Sequence, residues 1–71
     1  MATLVEKEVL IEIIGSVVAS VAYTVDVDNS DLVALLQLKG KLYGMDPEEV
    51  DYEKELAFIK EKKAILESIS N

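Results

Sequence analysis

Residues 4–28 read LVEKEVLIEIIGSVVASVAYTVDVD, and the fold depends on how that stretch is taken. Val21, Tyr23, Val25 and Val27 alternate with Ala22, Thr24, Asp26 and Asp28. A period of two is the pattern of a half-buried strand. Upstream, Val5, Val9, Ile11 and Ile13 alternate with Leu4, Glu6, Glu8 and Glu12, although Lys7 intrudes on the apolar side and Leu10 and Ile14 on the polar one. A loop at Gly15-Ser16-Val17 would set Ile13 opposite Ala19, Ile11 opposite Val21, Val9 opposite Tyr23 and Val5 opposite Val27. The other face would then pair Glu12 with Ser20, Glu8 with Thr24 and Glu6 with Asp26. One register sorts both strands into an apolar and a polar face, and the β-branched content agrees. The expectation is a β-hairpin of strands 4–14 and 18–28. The alternative is a helix with Leu4, Ile11, Ile14, Val18, Val21 and Val25 on one face, which would make the chain an all-α three-helix bundle.

Downstream, helices are the plain reading. Asn29 or Ser30 can cap a helix over 31–43 with Leu32, Leu35, Leu36 and Leu42 on its apolar face, and Gly44 suits the position after its end. Asp46 then caps a second helix over 47–69, with Pro47 at its first position and Glu48 and Glu49 in its first turn. Tyr52, Leu56, Ile59 and Leu66 form its stripe, with Phe58, Ile65 and Ile69 alongside. The expected fold is therefore α+β: an N-terminal β-hairpin followed by an αα-hairpin (ββαα), one domain over residues 1–71.

That fold implies self-association. A two-stranded ribbon is marginal in water and leaves both edges open, so its sheet would be completed by oligomerisation. The longer helix would also outrun its partner: about 34 Å against about 20 Å at 1.5 Å per residue. Val21, Tyr23, Val25, Phe58, Ile65 and Ile69 are the expected interface residues. A chain of 71 residues without cysteine or histidine has no disulfide or zinc site to reinforce a small core.

Charge narrows the function classes. Fourteen acids stand against seven basic residues, all lysine, for a net charge of −7. Nucleic acid and anionic membranes are disfavoured partners, because both need cations and arginine is absent. The apolar run from Val9 to Val25 carries Glu12, follows Glu6-Lys7-Glu8 and is at the short limit for a bilayer helix. The expected location is the cytoplasm. Without histidine or cysteine, Ser/His and Cys/His nucleophilic systems are excluded. Lys39-Gly40-Lys41 fails as a phosphate loop, since Leu42 stands where Ser or Thr is required. Asp26-Val27-Asp28-Asn29-Ser30-Asp31 resembles the start of a calcium loop, but Asp31 replaces the turn glycine and Gln37 the closing glutamate. An Asx helix cap is the simpler reading. No metal and no cofactor is expected, nor is catalysis.

The acids Glu6, Glu8, Asp26, Glu49, Asp51, Glu53 and Glu55 are the candidate binding surface. Acids suit a helix N-terminus, but Glu49 with Glu53 and Asp51 with Glu55 repel at i,i+4 spacing, and Glu6 would oppose Asp26 across the hairpin. The leading expectation is a non-catalytic, homo-oligomeric acidic interaction protein that binds and inhibits a basic partner surface. The alternatives are a small-molecule-binding oligomer, with ligand between protomers near Tyr23, Tyr43 or Tyr52, and a structural subunit of a larger assembly. No family motif stands out. Small, acidic, cysteine-free chains are common among phage and mobile-element accessory proteins, but that likeness is one of composition alone.

Overall fold

The computed structural model describes residues 1–70 and is all-helical: α1 (Leu4–Val21), α2 (Ser30–Gly44), a single 3-10 turn (Pro47–Glu49) and α3 (Tyr52–Ser70). No strand occurs among the described residues, so the expected ββαα fold is overturned in favour of the three-helix alternative. With the hairpin goes the sheet that oligomerisation was to complete.

The hairpin fails because a second period runs through the same residues. Leu10, Ile14, Val17 and Val21 are buried on α1 at i, i+4, i+7 and i+11, one stripe of a helix. Gly15, Ser16 and Val17, expected to turn the chain, lie inside α1. The helical face is itself rotated from the one first drawn. Leu10 and Val17 replace Leu4, which is exposed, while Ile11 and Val18 lie half-buried at the flank. A capping box starts α1. Glu6 N–H donates to Thr3 Oγ1 at 3.1 Å, and Thr3 N–H donates to Glu6 Oε1 at 2.9 Å. The alternating residues after Val21 form a turn, with Val25 buried and Tyr23 and Val27 exposed.

Asn29 caps α2, its side-chain oxygen accepting from Asp31 N–H at 2.9 Å and Leu32 N–H at 3.2 Å. Gly44 is the last residue of α2 rather than the residue beyond it, and no described residue has positive φ. The helix expected over 47–69 is broken. Asp46 and Glu49 form a capping box around the 3-10 turn, then Val50 is extended at φ −89, ψ 128. Val50 is buried and the break allows it, because in one continuous helix it would lie nine residues, or about two and a half turns, before Ile59 and so on the opposite face. Asp51 restarts the helix by accepting from Lys54 N–H at 3.2 Å.

The three helices run up, down and up. Ala2 N–H bonds Pro47 O at 3.2 Å and Lys7 Nζ bonds Met45 O at 2.6 Å, which ties the start of α1 to the α2–α3 connection. At the other end of the bundle Lys62 Nζ meets Asp31 Oδ1 at 3.0 Å. α1 and α3 are therefore parallel, with 18 and 19 residues, or about 27 and 28 Å at 1.5 Å per residue. This corrects the expected overhang: α1 lies beside the half of α3 that outruns α2. Leu10, Ile14, Leu35, Leu42, Ile59 and Leu66 are wholly buried between the three helices.

Candidate interaction surfaces

Parallel α1 and α3 begin at the same end of the bundle, and their N-terminal acids collect there. Residues 1–8 and 46–55 hold Glu6, Glu8, Asp46, Glu48, Glu49, Asp51, Glu53 and Glu55 against only Lys7 and Lys54. Lys41, in the last turn of α2, lies at the same end, so eight acids against three lysines place five of the seven net negative charges there, and the other six acids face four lysines. Among the described residues Lys62–Asp31 is the one ion pair, so the acidic end is not neutralised from within.

Its acids differ in role. Glu6, Glu49 and Asp51 hold backbone N–H groups at helix starts, so a structural duty accounts for them. Glu55 is half-buried, while Glu8, Glu48 and Glu53 are exposed and bonded to nothing in the chain. Asp26 lies apart, exposed in the turn after α1 at the opposite end. Two of the three repulsions expected from sequence lose their geometry, while Asp51 and Glu55 keep theirs across the first turn of α3, where Glu55 N–H bonds Asp51 O at 3.0 Å. Glu6 and Asp26 sit at opposite ends of the bundle, and the extended Val50 separates Glu49 from Glu53.

The expected interface residues divide as well. Val21 and Val25 are buried in the chain's own core. Tyr23 is 99% exposed and Ile69 54%, both at the end opposite the acids. Ile65 is exposed on the same flank of α3 as half-buried Phe58, whose ring has Lys62 Nζ 5.3 Å from its centroid.

The tyrosines proposed to line a ligand site do not converge. Tyr23 is at one end, whereas Tyr43 and Tyr52 flank the connection at the other. Lys39 and Lys41 lie on opposite sides of α2 at 3.6 residues per turn, with Lys39 Nζ packed near Gly15. In the turn before α2, Asn29 is a cap and Asp31 is engaged by Lys62, and no three His, Cys, Asp or Glu side chains among the described residues come together to hold a metal.

One concavity was missed in the sequence. Ile13, Ser16, Val17 and Ser20 of α1 and Lys63 and Glu67 of α3 line an open groove of about 320 Å³. The signal for it was the absence of charge from Ile13 to Val25, which leaves part of the outer face of α1 with small side chains only. No helix among the described residues is long and apolar enough to cross a membrane. Comparison with family models, curated proteins and solved structures returns no match.

Proposed function

We propose that this chain is a non-catalytic interaction protein of the cytoplasm whose acidic end engages, and by covering it inhibits, a lysine- and arginine-rich surface of another protein. The observation that supports this reading is the concentration of five of the seven net charges at one end of the bundle. Helix capping explains Glu6, Glu49 and Asp51 and the helix dipole favours Glu53 in the first turn of α3, but the side chains of Glu8 and Glu48 make no hydrogen bond or ion pair among the described residues. Solubility alone would be served by acids spread over the surface, whereas a concentrated field steers a basic partner to one place.

The test separates position from net charge. Glu48→Lys with Glu53→Lys reverses two exposed acids at the acidic end, and Asp28→Lys with Glu61→Lys makes the same change in net charge elsewhere. Binding of an oligolysine peptide, measured by titration calorimetry at low salt, is expected to weaken several-fold more in the first variant than in the second, since exposed pairs are each worth about 0.2–1 kcal/mol. Equal weakening in both variants would reduce the effect to net charge and overturn the reading.

A further inference from the structure

We propose that the basic partner meets this chain as an amphipathic helix laid in the α1–α3 groove, antiparallel to both helices, with its cationic C-terminal turns over the acidic end. The inference rests on the acidic-end reading of function and gives that partner a shape. Val9, Ile13, Ser16 and Ser20 recur at i, i+4, i+7 and i+11, a second stripe of α1 beside its buried one. Ile13, Ser16 and Ser20 line the groove, and Val9, 36% exposed, carries the stripe toward the acidic end. The groove floor is apolar, formed by buried Val17 and half-buried Ile13. The α1 stripe is uncharged, so the charges that run along the groove come from α3.

Charge complementarity selects the occupant and its direction. The groove sets Lys63 and Glu67 beside Ser16 and Ser20, so each α3 residue stands level with the α1 residue 47 positions earlier. Half-buried Leu56 is thus level with Val9 and extends the apolar floor, and Glu53 is level with Glu6 at the acidic end. Glu53, Lys60 and Glu67 recur every seven residues on the groove side of α3. Lys60 and Lys63 come about 10 and 15 Å beyond Glu53 at 1.5 Å per residue. Glu53, Lys60 and Lys63 are exposed, and none of them is in an ion pair among the described residues. A helix that matches this order carries cations at one end and carboxylates two to three turns away. Its own dipole favours the cations in its last turns and the carboxylates nearer its start, which sets it antiparallel to α1 and α3. It then continues the up, down, up order of the bundle with a fourth helix that runs down. Apolar side chains at i, i+3, i+4 and i+7 of that helix cover Val9, Ile13, Val17 and Leu56.

The experiment uses two synthetic helical peptides of about 18 residues, or about 27 Å, with the same leucine stripe and equal numbers of glutamates and lysines. The first has its glutamates in the N-terminal half and its lysines in the C-terminal half; the second has them exchanged. Both are electrically neutral, so net charge alone attracts neither. Each is titrated into the isotope-labelled whole chain and followed by NMR. The first peptide is expected to shift the amides of Val9, Ile13, Ser16 and Ser20 and to bind about tenfold more tightly than the second. Lys60→Glu with Lys63→Glu, checked for retained helicity by circular dichroism, is expected to weaken the first peptide several-fold while strengthening oligolysine. Equal affinity for the two peptides, or a variant that binds the first peptide as well as the native chain does, would overturn the proposal. So would groove amides that move with the chain's own concentration and not with peptide, which would make a second copy the occupant. Oligolysine binding with no shift at Ile13, Ser16 and Ser20 from either peptide would overturn the helix in the groove and leave the acidic-end reading standing. Failure of oligolysine and peptide alike would overturn both.

Discussion

Asn29 shows how a single side chain settles a disputed stretch. Among the acids and amides of residues 26–31 it alone closes the first turn of α2, taking two backbone donors at 2.9 and 3.2 Å. Replacing an N-cap of this kind with alanine typically costs about 1 kcal/mol. Asn29→Ala is therefore expected to lower the urea midpoint of unfolding, while Asp28→Ala leaves it nearly unchanged. Equal effects from the two would mean that the cap is not where the structure has it. The cap was legible in the sequence because its chemistry is local. Thr3 and Glu6 were equally local, and a Thr three residues before a Glu announces a helix start. That signal pointed to α1 and was missed beside the alternation downstream, where Val21 to Asp28 satisfies a strand period while forming a helix end and a turn.

At the scale of elements, Gly15 separates the two readings of residues 4–28. In a hairpin it would occupy the loop, where its conformational freedom matters; in α1 it sits inside the helix with negative φ. A Cβ added there would meet Lys39 Nζ at 3.7 Å, an ordinary contact. Glycine inside a helix costs about 0.8–1 kcal/mol relative to alanine. Gly15→Ala is accordingly expected to stabilise the protein by up to about that amount in thermal or urea unfolding, and a clear loss of stability would contradict the placement of Gly15 in α1. α2 was legible almost to its ends, but its face was misread at one position: Leu38 is buried where Leu36 was expected, and Leu36 is 44% exposed. The break in the last helix was not legible. Pro47 and the acids around it announce a helix start correctly, but nothing in that signal limits the helix to one turn. The limit comes from Val50 entering the core and Asp51 capping again, a choice made by tertiary packing.

The whole molecule changes what the sequence implied about partners. Open sheet edges and an overhanging helix were the arguments for self-association, and both disappear once α1 packs along α3. The accessible surface is 4559 Å², close to the roughly 4,400 Å² usual for a folded monomer of this mass, so the bundle closes its own core. Surface features now carry the case for partners. The charge polarity was partly readable: Asp46 to Glu55 is a visible acidic run, but only the parallel course of α1 and α3 brings Glu6 and Glu8 to the same end. The α1–α3 groove could not be read before the direction of α1 was known. Everything proposed about partners thus depends on residues 4–21 being one helix. Backbone NMR assignment tests this most directly. The account predicts downfield Cα secondary shifts continuous from Leu4 to Val21 with no interruption at Gly15–Val17. Upfield Cα shifts on both sides of those residues, with cross-strand contacts between Ile11 and Val21, would contradict it.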